Sequence, residues 1–437
     1  MTDCKTHPEL FPALKSRKID FDFKGGDITS DAGSLLLRQA DRKIGLTRDL
    51  DKLIDDPRRQ ESCLHTQHKL FQQRIYGLAL GYEDLNDHDT LRNDLAFQTS
   101  VDSDKALASS PTLCRLENRA EREMAKDISI LIVDKFIASF KEAPEKLVLD
   151  FDATDDPTHG RQEGTFFHGY YDHYCFLPLY VFCGSQLLAA YLRPSSIDPA
   201  KHAWAILSLL VKRLREEWPD VEIVFRGDSG FCRWRMLRWC DKNDVGYILG
   251  LAKNKRINAM AGDLMTEAEE QFIETGEKQR LFGETMYAAG TWDKERRVIM
   301  KAEHSKQGSN PRYVVTNLEG EAQELYDKEY CARGDMENRI KEQQLDMFSD
   351  RTSCHNWWPN QMRLLLSSLA YILVESIRRL ALRGTELANA QCGTIRLKLF
   401  KVGSVVIRNT RRIRFHASSA YPYKDLFFLV ARRLAIE

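Results

Sequence analysis

The sequence predicts an α/β protein in which a mixed sheet, flanked by helices, is interrupted by a β-rich insertion and lies between helical terminal regions. Three observations predict it. Helical periodicity dominates residues 1–145, strand-like and helical runs alternate over 146–252, and strand-like runs predominate over 253–318. A chain of 437 residues is also too long for one compact core, so several domains are expected.

The first region, residues 1–145, is predicted to be a helical domain. After a short strand at 19–23, apolar residues at helical spacing indicate helices at 34–46, 62–80 and 119–140, with shorter helices between them. The capping residues Thr29-Ser30-Asp31 precede the first helix. The pattern changes at Ala143-Pro144, where we expect this domain to end.

The sheet is predicted from residues 146–252. The run LVLDFD (147–152) is its first strand, and Gly184-Ser185-Gln186 joins the strands at 177–183 and 187–192 into a hairpin. The later elements are a helix at 199–217, a strand at 221–225, a helix at 232–243 and a strand at 247–251. A meander followed by strand–helix–strand crossovers gives a mixed sheet.

Residues 253–318 are predicted to be an insertion, with one helix and strand-like runs near 284–292, 295–303 and 312–317. The core then resumes over 319–350, mainly as a long helix at 322–348. The C-terminal region, residues 351–437, begins with an apolar helix at 362–382 and ends with a helix near 424–435. Between these helices lies a block rich in basic residues.

This basic block runs from Arg378 to Arg414 and sets ten basic residues against one acid, Glu386, although the whole chain has 64 residues of each sign. Such a block suits a phosphate backbone, and a solvated helix face and hairpin would explain it equally well. No run of eighteen apolar residues and no secretory signal is present, so we expect a cytoplasmic protein that does not span a membrane. The ten cysteines form no C-x-x-C pair and are expected to be reduced thiols.

Two acids follow predicted strands directly. Asp152 ends the first strand, and Asp228, in FRGDSGF, follows the fourth. Open α/β sheets bind their ligands at the carboxyl ends of strands, so these acids are candidate site residues. Asp150 points to the same strand face as Asp152, and Asp155 and Asp156 lie just beyond it. For Asp228, simple turn chemistry is an equal alternative.

A third acid is predicted on the long helix. Tyr330, Arg333, Glu337, Lys341 and Gln344 are spaced by 3, 4, 4 and 3 residues, which places them within roughly 60° of one helix face. A tyrosine, two cations, an amide and a carboxylate form a polar recognition face with Glu337 at its centre. Taken alone, Glu337 would also fit a surface ion pair with Arg333 or Lys341.

Three carboxylates suit phosphoryl transfer. Two Mg²⁺ ions roughly 4 Å apart activate the attacking oxygen and stabilise the leaving oxygen. Mg²⁺ prefers oxygen ligands, and Mn²⁺ suits the same site. A zinc hydrolase using His159, His168 and His173 is a remote alternative, because their spacing fits no compact ligand motif.

Together these residues resemble a known family. The order of elements is similar to the ribonuclease-H-like core of DDE transposases. The spacing Tyr330-x2-Arg333-x3-Glu337 resembles the signature of the bacterial insertion-sequence branch whose core is interrupted by a β-rich insertion. LVLDFDATDDPTHG and FRGDSGF resemble the first and second acid motifs of that branch, and the likeness covers roughly 145 to 350.

The resemblance implies a metal-binding catalytic triad of Asp152, Asp228 and Glu337, holding two Mg²⁺ ions for which Mn²⁺ can substitute. Asp152 is preferred over Asp150 because the family's acid is followed by x-Thr, here Ala153-Thr154. Tyr330 and Arg333 correspond to residues that grip phosphates.

One position departs from the family signature, which places a lysine where this chain has Gln344. Lys341, one turn earlier on the same face, is the candidate for that charge. The insertion of this branch usually carries an aromatic residue that stacks on a flipped base, for which Trp292 is the candidate, although an isolated tryptophan is more often part of a core.

The implied activity is cut-and-paste DNA transposition at terminal inverted repeats, through a DNA hairpin and strand transfer to target DNA. The implied partners are double-stranded DNA and a second copy of the chain, as a homodimer on paired ends. The N-terminal helices and parts of the C-terminal region would bind DNA. The alternatives are a ribonuclease-H-like nuclease without strand transfer and a non-catalytic DNA-binding protein descended from a transposase.

Overall fold

The computed structural model describes residues 11–435. The described chain begins with three short strands, β1 (Phe11–Leu14), β2 (Arg17–Ile19) and β3 (Ile28–Thr29). The helices that follow are α1 (Ser34–Ile44), α2 (Leu46–Leu53), α3 (Gln67–Leu80), α4 (Asp87–Leu91), α5 (Leu95–Ser100), α6 (Ser110–Asn118) and α7 (Arg122–Ile137). The predicted helical character of this region is therefore confirmed.

Single residues set the end of α1 and the start of α3. Gly45 ends α1 in the left-handed conformation (φ 64°), which glycine adopts without side-chain strain. Thr66 begins α3, where its hydroxyl accepts a hydrogen bond from the Lys69 backbone N–H at 3.3 Å. The strand predicted at 19–23 is instead Arg17–Ile19, where it pairs with β1.

The central sheet is built by the next part of the chain. Its elements and those beside it are β4 (Lys146–Ala153), β5 (Asp156–Pro157), β6 (Phe166–His168), β7 (His173–Phe176), β8 (Leu179–Cys183), β9 (Gln186–Tyr191), α8 (Ala203–Glu217), β10 (Glu222–Gly227), α9 (Trp234–Lys242) and β11 (Gly246–Leu251). Five strands lie in the order β9-β8-β4-β10-β11. Strands β4, β10 and β11 are parallel and β8 is antiparallel to its neighbours, which is the predicted ribonuclease-H-like arrangement.

The predicted insertion widens this sheet. Its elements are α10 (Lys255–Met260), α11 (Gly262–Thr275), β12 (Gln279–Tyr287), β13 (Arg296–Ser305), β14 (Gly308–Ser309) and β15 (Arg312–Thr316). Strand β15 pairs with β11, β13 with β15 and β12 with β13, all antiparallel. The insertion strands therefore continue the core sheet and do not form a sheet of their own.

A helical run over 322–346 covers one face of the sheet. It consists of α12 (Ala322–Glu324), a wide π turn (Leu325–Tyr330), a tight 3₁₀ turn (Cys331–Arg333), α13 (Gly334–Lys341) and a second π turn (Glu342–Asp346). Leu325 and Tyr326 pack on Val224 and Ile248 of the sheet. The other face packs against α8 and α9. Irregular turns of this kind are frequent at functional sites.

The C-terminal part returns to the N-terminal helices. Its elements are α14 (Trp357–Ile377) with a π turn (Arg378–Leu382), α15 (Cys392–Ile395) with another (Arg396–Phe400), β16 (Ser404–Arg408), β17 (Ile413–Ala417) and α16 (Lys424–Leu434). Leu365 and Leu369 of α14 share a core with Phe71 and Ile75 of α3. Strand β16 pairs with β3, so both ends of the described chain build one helical body beside the sheet.

The basic block divides into a structural half and an exposed half. Arg378 is buried in an ion pair with Glu342, and Arg396 donates a hydrogen bond to the Ala79 carbonyl at 2.8 Å. Three exposed arginines, Arg411, Arg412 and Arg414, cluster on the β16–β17 hairpin; Arg408 of this hairpin is half-buried, and Arg383 is exposed after α14. No helix within residues 11–435 is long and apolar enough to cross a membrane.

Candidate active site

Asp152 and Asp228 lie side by side at one edge of the sheet. Strands β4 and β10 are parallel, and their last paired residues are Phe151 and Gly227, so each aspartate is the next residue along its strand. The Asp228 carboxylate accepts a hydrogen bond from the Gly230 backbone N–H at 2.8 Å. Asp228 therefore caps a turn with one carboxylate oxygen while its strand places it beside Asp152.

The structure distinguishes Asp152 from the three other aspartates near it, Asp150, Asp155 and Asp156. Asp150 is buried and paired across the strands with Arg226, which donates hydrogen bonds to both of its carboxylate oxygens. Asp156 is also buried and accepts a hydrogen bond from Thr352 Oγ1 at 2.8 Å. Asp155 accepts one from His173 at 2.9 Å if that nitrogen carries the proton. Asp150 and Asp156 are therefore buried in contacts of the fold, whereas Asp152 is partly exposed at the strand end beside Asp228.

The helical run brings Glu337 to the same place. Arg333 Nη1 lies 3.1 Å from Asp152 Oδ2, and Arg333 Nη2 lies 3.0 Å from Glu337 Oε1. One guanidinium thus joins an acid on the sheet to an acid on the helix. The ion pair that the sequence offered as the alternative for Glu337 is present, and it places this acid beside Asp152.

Tyr330 lies against the neighbouring strand, next to Asp228. A Cβ atom built on Gly250 of β11 would lie 2.7 Å from Tyr330 Oη, 2.9 Å from the Ser229 backbone nitrogen and 3.3 Å from the Asp228 carbonyl carbon. Only a residue without a side chain leaves space for that approach. The tyrosine hydroxyl therefore lies beside the backbone that follows β10.

Negative charge is concentrated around Asp152. Burial is the main cause that raises the pKa of Asp152 to about 6; the Arg333 guanidinium opposes this rise, and the Asp228 and Glu337 carboxylates add to it. Burial alone would lower the pKa of Arg333, but the nearby charges, Asp152 first, raise it above its usual value. Arg333 is thus the cation that currently offsets the repulsion between the three acids.

The chemistry of the donor set fits a divalent cation. All three candidate ligands are carboxylates, which hard cations such as Mg²⁺ and Mn²⁺ prefer. As the side chains lie here, no three His, Cys, Asp or Glu residues of the described chain converge as a ready metal cluster. Arg333 lies between Asp152 and Glu337, so a cation held by both acids requires this arginine to move.

The other predicted site residues are placed as follows. Lys341 is exposed one turn beyond Glu337, whereas Gln344 donates a hydrogen bond to the Asp155 carbonyl at 2.8 Å. Trp292 packs against Tyr287, with ring centroids 5.6 Å apart. Trp292 lies in the turn that joins β12 to β13. This turn is at the end of the sheet where β10 and β11 begin, whereas Asp228 lies at the opposite end, where β10 finishes. Its stacking role stays a prediction that this position does not support.

Two features beside the acids were not assigned from the sequence. Arg226 is the partner of Asp150, and only the strand pairing reveals it. The β6–β7 hairpin lies near Asp155, and burial, followed by the charges of Asp155 and Asp152, raises the pKa of Tyr171 in its turn to about 12. The signal for this hairpin is the run FFHGYYDHYCF (166–176), which holds six Phe or Tyr residues.

Comparisons with known proteins identify the family of this chain. The chain matches the family described as "Transposase DDE domain group 1" over residues 11–436. Among solved structures, a cryo-EM structure of the piggyBac transposase synaptic complex with hairpin DNA is similar, with a TM-score of 0.41, 12% identity, and coverage of 85% of this chain and 80% of that chain. A similarity of this degree carries no functional argument, and a search of curated proteins finds no match. Because the family match spans nearly the whole chain, this protein belongs to the DDE transposases of domain group 1.

Proposed function

We propose that this protein is a DNA transposase that cuts DNA at terminal inverted repeats and joins the cut end to target DNA, with Asp152, Asp228 and Glu337 as its catalytic acids. The family supports a DNA-cleaving enzyme. The observation that carries the assignment is the Arg333 bridge between Asp152 and Glu337, beside the strand end that bears Asp228.

In this proposal, the three carboxylates hold two Mg²⁺ ions, or Mn²⁺ in their place. The ions supply activation of the attacking oxygen and stabilisation of the leaving oxygen. Asp152 and Asp228 provide oxygens fixed by parallel strands, and Glu337 provides one from the helix. The sheet and the helix therefore define the two sides of the site.

Arg333, Tyr330 and Lys341 are proposed to bind DNA phosphates. A guanidinium pairs with two phosphate oxygens as readily as with two carboxylate oxygens, so a substrate phosphate can replace Asp152 and Glu337 as the partner of Arg333. Tyr330 lies on the Asp228 side of the site, and Lys341 is exposed one turn beyond Glu337. These three groups line the helix side of the proposed phosphate path.

The proposed reaction is cut-and-paste transposition. Water attacks the phosphodiester at each end of the element and releases a 3′-hydroxyl, which attacks the opposite strand and closes a DNA hairpin. Water reopens the hairpin, and the freed 3′-hydroxyl attacks target DNA. In each step, the oxygen of water or of a DNA 3′-hydroxyl bonds to phosphorus and a DNA oxygen leaves, so no covalent bond between protein and DNA forms.

End recognition is assigned to the N-terminal helices and to the exposed arginines of the β16–β17 hairpin. The exposed arginines Arg411, Arg412 and Arg414 form a cluster that suits a phosphate backbone. Because two ends must be processed together, the proposed assembly is a homodimer on paired ends.

The test is to incubate the full chain and Mg²⁺ with a labelled duplex that carries the element's terminal repeat, together with a target plasmid. We expect nicking at the repeat boundary, a hairpin product and joining to the plasmid. A duplex of the same length with a scrambled repeat is the control. Equal cutting of both duplexes without joining would instead support a plain nuclease.

The non-catalytic alternative is separated by binding. A protein that binds the repeat in a gel shift under conditions that pair two ends, but cuts it with neither Mg²⁺ nor Mn²⁺, would contradict the proposed activity. Arg333→Ala tests the proposed phosphate contact, because loss of that contact should weaken binding of the repeat and make binding less dependent on salt.

A further inference from the structure

The helix that carries Glu337 changes its packing partner along the helical run. The run begins on the sheet, where Leu325 and Tyr326 pack on the central strands. Beyond the 3₁₀ turn, Met336 and Ile340 of α13 lie instead in the large core that contains α14 and α3. The third proposed acid therefore lies on a helix that packs against the helical body.

Glu342, the first residue after α13, is the centre of this attachment. Its side chain is buried, and one carboxylate oxygen accepts a hydrogen bond from Arg339 Nη1 at 2.5 Å. The other oxygen accepts hydrogen bonds from Arg378, in the π turn after α14, and from the Cys392 backbone N–H at 3.0 Å, at the start of α15. One carboxylate thus joins α13 to two elements of the C-terminal part.

The residues that follow Glu342 make further contacts with the same two elements. Gln343 is buried and donates hydrogen bonds to the Ser367 and Ser368 hydroxyls of α14. The Asp346 carboxylate accepts a hydrogen bond from the backbone N–H of the second residue of α15 at 2.8 Å. The π turn after α13 is therefore fixed along its length to the helical body.

The Glu342 carboxylate is the hydrogen-bonded counter-charge of a buried arginine. Arg378 is 6% exposed, and its Nε and Nη1 atoms have no hydrogen-bond partner within the described residues. It contacts Glu342 through Nη2. Breaking a buried ion pair by neutralising one partner is costly, because the other charge stays buried without compensation. Loss of the Glu342 charge should therefore loosen α13 from α14.

We propose that Glu342 is a positioning residue for the proposed catalytic acid Glu337: through Arg339 and Arg378, it fixes α13 to the helical body and so sets where the Glu337 carboxylate meets the acids of the sheet. This inference rests on the proposed function, because it takes Glu337 as a metal ligand. A metal ligand whose supporting contacts are lost binds its metal more weakly, because the ligand must be ordered at the moment of binding.

Glu117→Gln is the matched control for Glu342→Gln. Glu117 is also a buried acid that pairs with two arginines, but it lies on α6, within the helical body. Both variants should lower Tm by similar amounts, since each leaves buried arginines without their counter-charge. Amide hydrogen exchange in EDTA should become faster in α13 for Glu342→Gln and should stay at the wild-type rate there for Glu117→Gln.

Mn²⁺ affinity is the second readout. It is measured by electron paramagnetic resonance on the full chain bound to a repeat duplex whose cut end lacks its 3′-hydroxyl, so that no joining follows. We expect Glu342→Gln to weaken Mn²⁺ binding by about 10-fold, as loss of groups that orient metal ligands does. Glu117→Gln should leave the affinity unchanged. Arg378→Lys should bind Mn²⁺ like wild type, because one ammonium can replace the single Nη2 contact with Glu342.

Two results would overturn the proposal. One is faster exchange in α13 to the same extent in Glu342→Gln and Glu117→Gln; the other is unchanged Mn²⁺ affinity in Glu342→Gln while Glu337→Gln weakens it. If Glu342→Gln does not fold, Arg378→Met is compared with Arg378→Lys, and equal Mn²⁺ affinity of these two variants would overturn the proposal as well. Unchanged Mn²⁺ affinity in Glu337→Gln would contradict the proposed triad itself, and this inference with it.

Discussion

Asp150→Asn and Asp152→Asn should change stability in opposite directions, although the two residues lie on one face of β4. Asp150 and Arg226 are both buried, and Arg226 donates hydrogen bonds to both carboxylate oxygens of Asp150. Asparagine leaves the buried Arg226 cation without its counter-charge, which costs about 3 kcal/mol. For a chain of 437 residues, this corresponds to a fall in Tm of about 3 °C.

Asp152→Asn should instead stabilise the protein above pH 6. The pKa of Asp152 is raised to about 6 from 3.8, chiefly by burial, so the folded state holds an unfavourable charge there. The rise of about 2 pKa units, which already includes the opposing effect of Arg333, corresponds to at most about 3 kcal/mol. Because a raised carboxyl pKa costs stability only above the unfolded value, the gain should be present at pH 8 and absent at pH 4.

The assay is thermal unfolding of wild type and both variants in EDTA, at pH 8 and pH 4. The reasoning is refuted if Asp150→Asn unfolds at the wild-type temperature, or if Asp152→Asn unfolds at a lower temperature than wild type at pH 8.

Three further outcomes are expected. Gly250→Ala should lower the free energy of unfolding by about 1 to 3 kcal/mol and reduce cleavage, because the added methyl group would collide with the Tyr330 hydroxyl. Gly262→Ala, whose methyl group meets open space, should change neither quantity. Denaturant unfolding and cleavage rates measure both. Burial lowers the pKa of His88 to about 3, so the free energy of unfolding should fall by about 1.4 kcal/mol per pH unit as the pH is lowered from 6.5 to 3. His88→Gln should flatten this slope, which urea titrations at several pH values measure. Glu117→Gln should lower the free energy of unfolding by about 3 kcal/mol, because this buried acid pairs with two arginines. Glu123 is exposed, so Glu123→Gln should lower it by under about 0.5 kcal/mol in the same assay.

Local patterns explain which parts of the fold were predictable. The strand at 147–152, the hairpin after it and the two crossovers each show their period within one segment, and all are present. The pairing of β15 with β11 joins distant segments, so nothing in either segment alone indicates that the insertion continues the sheet. The division of the chain into four regions stays a prediction. Helix α14 of the C-terminal region shares one hydrophobic core with the N-terminal helices.

The candidate site was predictable where spacing carried the information. A period of 3.6 residues predicts Tyr330, Arg333 and Glu337 on one face, although the run contains π and 3₁₀ turns. Strand ends predict the positions of Asp152 and Asp228. The sequence could not show that Arg333 bridges two acids, because that contact joins the helix to the sheet. It also could not exclude Asp150, whose partner Arg226 is identified only by the strand register.

The most direct test of the proposed triad is cleavage of the repeat-bearing duplex in Mn²⁺ under single-turnover conditions. Wild type is compared with Asp152→Asn, Asp228→Asn and Glu337→Gln, and with Glu324→Gln, an exposed glutamate of the same helical run that pairs with Lys328. We predict that the three triad variants bind the repeat but cut it at least about a thousandfold more slowly, whereas Glu324→Gln cuts at the wild-type rate. Cleavage by Glu337→Gln at the wild-type rate would contradict the assignment of the third acid.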